Sequence, residues 1–267
     1  MNSNTTESQT EPPRPLGKNQ GGYFGETIDI ERVLENCLQS AAQFDWQHES
    51  LAVEPGVHLH ALRRARSQRA KNLYLSTGIH GDEPAGPLAI SRLLQENSWP
   101  DGLAVWLCPC LNPTGFPLNR RETAKGHDLN RQYHAPEAAE TRAHITWLKQ
   151  QPKFDVTICL HEDWEARGFY LYELNLDQRP SHAEAMIENV SPVCPIDHSE
   201  TIEGRSARAG IIRPSADPRT RPQWPEAFYL IQNHTRHSYT LEAPSDFPLP
   251  LRVAALVTAV RTVLQTL

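Results

Sequence analysis

The chain has 267 residues, of which 39% are hydrophobic and 22% charged. That is one large domain or two small ones, and collagen-like, coiled-coil and wholly disordered classes are excluded. Lys and Arg number 26 against 32 Asp and Glu, a net charge of -6 that argues against nucleic acid or an anionic membrane surface as the main partner.

Residues 1–20 hold only Met1 and Leu16 as large apolar side chains, so a disordered polar tail is expected there. The stretch has no basic start, apolar centre or small-residue cleavage site, and no later run reaches the length of a membrane span. The five cysteines, Cys37, Cys108, Cys110, Cys159 and Cys194, are odd in number and scattered. They read as reduced residues of a cytoplasmic protein rather than a disulfide framework.

After the tail, Ile28, Leu34, Cys37, Leu38 and Ala41 recur at helical spacing over 28–44. Residues 57–65 alternate as a half-buried strand. The run Leu73–Leu75 then meets a Gly-rich turn and a periodic helix carrying Leu88, Ile90, Leu93 and Leu94. The continuous apolar runs 103–110 and 154–163 are strands of the kind buried on both faces. Between them, 136–151 is amphipathic, with Pro136 suited to its first turn. Strands are expected over 168–174 and 238–244, and the chain closes in a helix. Residues 191–225 interrupt the rhythm with no clear element. Buried strands alternating with helices predict an α/β sheet covered on both faces, with the chemistry collecting where strands end in loops.

Four tracts carry chemistry. In GIHGDEPAG, His80 and Glu83 lie three residues apart where a buried strand gives way to a helix, a spacing that lets imidazole and carboxylate address one zinc ion. Gly78, Gly81 and Gly86 would let the backbone pass close to a bound group. LNPTGFPLNRRETAKGHDLNRQY gathers Asn112, Arg120, Arg121, Asp128, Asn130 and Arg131, a density of guanidinium groups suited to a carboxylate or a developing oxyanion. His161 ends the buried strand VTICL. Glu242 places a carboxylate inside the apolar strand SYTLEAP, where burial costs several kcal/mol unless the group is paired or functional. No GxSxG elbow supports a serine hydrolase.

In chain order these tracts resemble the zinc carboxypeptidase superfamily, in the compact bacterial branch that includes murein peptide amidases, with the succinylglutamate desuccinylase and aspartoacylase group as close relatives. The matching residues are His80 to Glu83, Asn112 to Gly115, Arg121, Asp128 to Arg131, His161, and Thr240 to Glu242, across roughly residues 70–245. The resemblance implies one α/β catalytic domain over 21–267, with a mixed, mostly parallel central sheet and helices on both faces. It implies one zinc ion per chain held by His80, Glu83 and His161, with Asp128 orienting His80. Arg121 would then stabilise the oxyanion, Asn130 and Arg131 would hold a substrate carboxylate, and Glu242 would be the general base. Tyr229, ahead of Tyr239, stands for the tyrosine that carboxypeptidases place over the substrate. His127, His134 and His144 are left as surface or supporting residues. The expected substrate is a short peptide, with cell-wall peptides as one case, cleaved next to its free carboxylate. The alternatives are an N-acyl amino acid deacylase and a catalytically inactive peptide-binding module.

Overall fold

The computed structural model describes residues 13–19, 23, 25–65, 70–214, 217 and 222–267. Helix α1 (Ile30–Gln43) leads into the hairpin β1 (Gln47–Glu54) and β2 (Val57–Arg64), followed by β3 (Lys71–Thr77), α2 (Ala85–Glu96) and β4 (Leu103–Cys108). A long connection with two 3-10 turns, Phe116–Leu118 and Leu129–Arg131, reaches α3 (Ala139–Leu148), β5 (Val156–Asp163), β6 (Tyr170–Asn175) and α4 (Ala183–Val190). Three short strands follow, β7 (Thr201–Ile202), β8 (Arg205–Ser206) and β9 (Ile211–Ile212), and then α5 (Glu226–Asn233), β10 (His237–Pro244) and α6 (Leu249–Thr266).

The main sheet has the order β1-β2-β4-β3-β5-β10-β6-β9. Its central strands β4, β3, β5 and β10 are mutually parallel, while β2 and β6 join them antiparallel on either side. The fold is therefore mixed α/β with a mostly parallel centre. Side chains of β3 alternate faces: Leu73 and Leu75 pack under α1, α2 and α6, whereas Tyr74 between them packs with the residues of α3 and α5. All six residues of β4 are buried, as a strand covered on both faces requires. Helix α1 begins where the Asp29 carboxylate accepts the N–H of Arg32 at 3.1 Å, satisfying one of the open donors of the first turn.

Several expectations change. Helix α3 starts at Ala139, so Pro136 lies upstream of its first turn, and β4 stops at Cys108. Strand β1 and helices α4 and α5 stand where the sequence predicts no element. Within 191–225 the chain does form elements: β7 and β8 make a small hairpin and β9 adds to β6, while residues 215, 216 and 218–221 lie outside the described residues. The expected polar tail falls outside them at residues 1–12 and 20. Within 13–19, Leu16 donates its N–H to the carbonyl of Asp246, and Gly17 and Lys18 donate theirs to its carboxylate. Among the described residues no helix is long and apolar enough to cross a membrane, and all five cysteines are buried free thiols.

Candidate metal centre and substrate cavity

The parallel pairing of β3 with β5 sets Thr77 against Leu160, so the loop after β3 and the end of β5 emerge side by side. That places His80, Glu83 and His161 together, each no more than 5% exposed. Their donor atoms lie within 4.8 Å of one another. His161 Nδ1 is 3.0 Å from Glu83 Oε2, and His80 Nδ1 contacts Glu83 Oε1. Four ligands at about 2.0 Å around a tetrahedral zinc sit roughly 3.3 Å apart, so this spacing and this N/O donor set fit zinc. His80 Nε2 lies 3.5 Å from Asp128 Oδ1, on the side of the ring away from Glu83.

The loop after β3 is held by close backbone contact. A Cβ on Gly81 would fall 2.2 Å from the carbonyl carbon of Gly115. On Gly86 it would come 1.8 Å from Thr77 Oγ1. These glycines therefore admit neighbouring protein, the 112–115 turn and β3, rather than a bound group. The turn itself is built on buried Asn112, whose Oδ1 accepts the N–H of Gly115 at 2.9 Å and whose Nδ2 donates to the carbonyl of Arg121 at 3.2 Å. Arg121 is thereby braced at the mouth of the centre, with Nε 2.8 Å from Asp128 Oδ2 and Nη1 3.4 Å from His80 Nδ1. Burial works against the charges of Asp128 and Glu83. The adjacent histidines, with Arg121 beside Asp128, outweigh it and hold both carboxyls below the usual range.

His80, Glu83, Arg121, Asn130, Arg131, His161 and Glu242 all line one cavity of about 390 Å³. Glu242 of β10 pairs in parallel register with His161 of β5, which brings the two side chains to the same side of the sheet. Burial, then the like charges of Glu83 and Asp163, push its carboxyl well above the ordinary carboxylate range, while the charge of Arg121 pulls it down. Arg131 donates to the carbonyl of Asn130 at 2.9 Å, and no carboxylate pairs with it among the described residues. It is an exposed guanidinium at the cavity, available to an anion.

Tyr229 is not brought to the cavity. It packs in the core, 5.8 Å from the Tyr133 ring and 5.7 Å from that of His234. Tyr239 is fully buried and donates to Glu173. The tyrosines that do line the cavity are Tyr23 and Tyr172, the latter donating to Glu203 at 2.5 Å. Sequence reasoning also missed the cavity carboxyls Asp82 and Asp163, each pushed up to about 6 mainly by burial. It missed Arg205, which the β7–β8 hairpin brings to the wall. None of these has a spacing signal. His144 is buried rather than superficial.

The sequence profile of the succinylglutamate desuccinylase/aspartoacylase catalytic domain matches residues 69–209. Carboxypeptidase SOL1 of Arabidopsis thaliana is 32% identical over 106 aligned positions, covering 31% of this chain and 21% of SOL1. The matched part thus spans about a fifth of that curated relative. A candidate metallopeptidase from Shewanella amazonensis shares the fold with a TM-score of 0.79 at 22% identity, over 92% of this chain and 98% of its own. Product-bound cell shape determinant protein Csd4 of Helicobacter pylori gives a TM-score of 0.59 at 21% identity, over 78% of this chain and 55% of Csd4.

Proposed function

The chain belongs to the succinylglutamate desuccinylase/aspartoacylase catalytic-domain family, and on that premise we propose that it is a zinc hydrolase cleaving a peptide or amide bond next to a free carboxylate. The leading case is a metallocarboxypeptidase acting on short peptides, those of the cell wall included. The observation that carries this reading is the convergence, in one cavity, of the His80, Glu83 and His161 donors with a carboxylate, Glu242, and with an exposed guanidinium, Arg131. Held there, one zinc per chain supplies Lewis acidity toward the amide carbonyl and makes water a usable nucleophile near neutral pH.

The chain's own residues do the rest. Glu242 takes the proton of the attacking water and delivers it to the leaving amine. Arg121 faces the oxyanion that develops on the carbonyl, with Asp128 fixing both the guanidinium and the His80 ring. Arg131 forms a bidentate pair with the substrate carboxylate, and Asn130 adds a donor. The buried free thiols suit a reducing compartment and support a cytoplasmic location.

The family match favours a second reading, an N-acyl amino acid deacylase, because the same donors serve either bond. Zinc-loaded protein is assayed on short peptides as free acids and as C-terminal amides, and on N-acetyl and N-succinyl amino acids. Peptide cleavage with at least about tenfold preference in kcat/KM for the free acid is expected, the worth of one or two charge-assisted hydrogen bonds. Turnover confined to acyl amino acids selects the deacylase. Equal rates on acid and amide would refute carboxylate recognition.

A further inference from the structure

Asn130 is tied to a buried carboxylate that the chemistry above does not use. The backbone N–H of Glu226, first residue of α5, donates to Asn130 Oδ1 at 2.9 Å. A backbone donor can only be met by the amide oxygen, so the orientation of the Asn130 side chain is set, and Nδ2 is what remains to meet a ligand. The first turn of α5 is itself cavity wall, through Pro225, Ala227 and Phe228.

The Glu226 side chain is 1% exposed and turns into the protein, where Tyr74 donates to Oε1 at 2.8 Å and Ser76 to Oε2 at 2.9 Å. Tyr74 OH also lies 2.9 Å from His144 Nε2, and the opposite ring nitrogen, Nδ1, is 2.7 Å from Tyr133 OH. Burial, then the charge of His234, lowers His144 to about 3, so its ring is neutral, with one donor and one acceptor. One directional chain satisfies every member: Tyr133 O–H to His144 Nδ1, His144 Nε2–H to Tyr74, Tyr74 O–H to Glu226. Tyr133 returns the circuit to the starting loop, three residues after Asn130, and its N–H donates to the carbonyl of Trp224 at 3.1 Å. The segment 130–133 is thus gripped at both ends by one hydrogen-bonded ring.

A leucine at 226 would bury the same helix face without the cost of enclosing a carboxylate. A fully satisfied buried polar network instead specifies one geometry. We propose that Glu226 is a positioning residue: the ring that it closes through Tyr74, His144 and Tyr133 holds Asn130 and Arg131 in register with the substrate carboxylate and so sets the preference for an anionic substrate. This rests on the carboxylate recognition proposed above.

The test is the ratio of kcat/KM for the best substrate found, as its free acid and as its amide, because this ratio does not depend on the fraction of folded enzyme. Glu226→Ala should lower the ratio at least about threefold, through KM for the acid rather than kcat, with zinc content unchanged. Tyr133→Phe removes one oxygen and opens the ring at its other end, so it should move the ratio the same way, and it carries the test if Glu226→Ala does not fold. Glu226→Gln should keep the wild-type ratio. Burial raises Glu226 to about 7 against the pull of the two hydroxyls, and Gln copies the protonated acid, accepting from Tyr74 while donating to Ser76. If the wild type discriminates and both ring-opening variants discriminate equally well, the inference is overturned alone. If the wild type does not discriminate, carboxylate recognition fails and the inference with it.

Discussion

Replacing Arg252 by Met is the sharpest test of how the candidate metal centre is held. Arg252 on α6 is fully buried, and its Nη1 pairs with Oε2 of Glu162, whose side chain has no exposed surface. Glu162 follows His161 directly, and its Oε1 accepts the N–H of Ala85, at the start of the helix that Glu83 precedes, at 2.5 Å. One buried carboxylate thus joins β5, α2 and α6 just behind two of the three candidate metal donors. Methionine keeps the stem and removes the charge, which leaves Glu162 enclosed with a single backbone donor. Removing one partner of a buried pair costs about 3 to 5 kcal/mol. For a chain of this size each kcal/mol moves Tm by about 2 to 4 °C, so a fall of about 6 to 20 °C is expected. Burial already lifts Glu162 to about 7 against the opposing charge of Arg252, and without that charge it rises further. A carboxyl whose folded pKa exceeds its unfolded one costs stability as pH rises between the two values. The variant's deficit should therefore be larger at pH 9 than at pH 6, and Glu162→Gln combined with Arg252→Met should recover more than half of it. Calorimetry on the zinc-loaded proteins measures both. A loss under about 1 kcal/mol, or one indifferent to pH, would refute the linchpin role.

Two further outcomes are expected. Glu242→Gln should retain zinc, measured by atomic absorption, while kcat falls by about 10² to 10⁴, as for other positioned general bases. Glu173 is a separate case: burial alone would raise it, but hydrogen bonds from His237 and Arg213 prevail and hold it at about 2. Its contribution to stability is complete above the ordinary value near 4.5 and is lost as pH falls toward 2, so Glu173→Gln should flatten the fall of Tm across that window.

The parts of the fold legible in the sequence are those whose burial leaves a pattern. Strands β3, β4 and β5 sit at the centre of the sheet and read as apolar runs. Strand β1, QHESLAVE, lies at the edge with its first four residues exposed, so polarity hid it. Helix α5 is only EAFYLIQN, entered from Pro225 with no side-chain cap, and over so short an apolar run helix and strand periods cannot be separated. The hairpin of β7 and β8 has two residues in each strand, too few to alternate.

The candidate metal donors were legible for a different reason. His80 and Glu83, three residues apart, give a weak local signal, and the set with His161 is reached through the resemblance of the ordered tracts. The residues that brace the cavity give no such signal. Tyr74, His144 and Glu226 stand 70 and 152 residues apart along the pairs that bond them, and each alone looks like a core aromatic, a surface histidine or a helix-start acid. Their roles exist only once β3, α3 and α5 share one face of the sheet. Tyr229 fails by the same logic. It stands in for a tyrosine that the family resemblance implies, yet its place on α5 is decided by packing against Tyr133 and His234, and the helix spends its first turn, not its middle, on the cavity. A set of ordered tracts can be read from the sequence, whereas a position granted by packing has to be read from the fold.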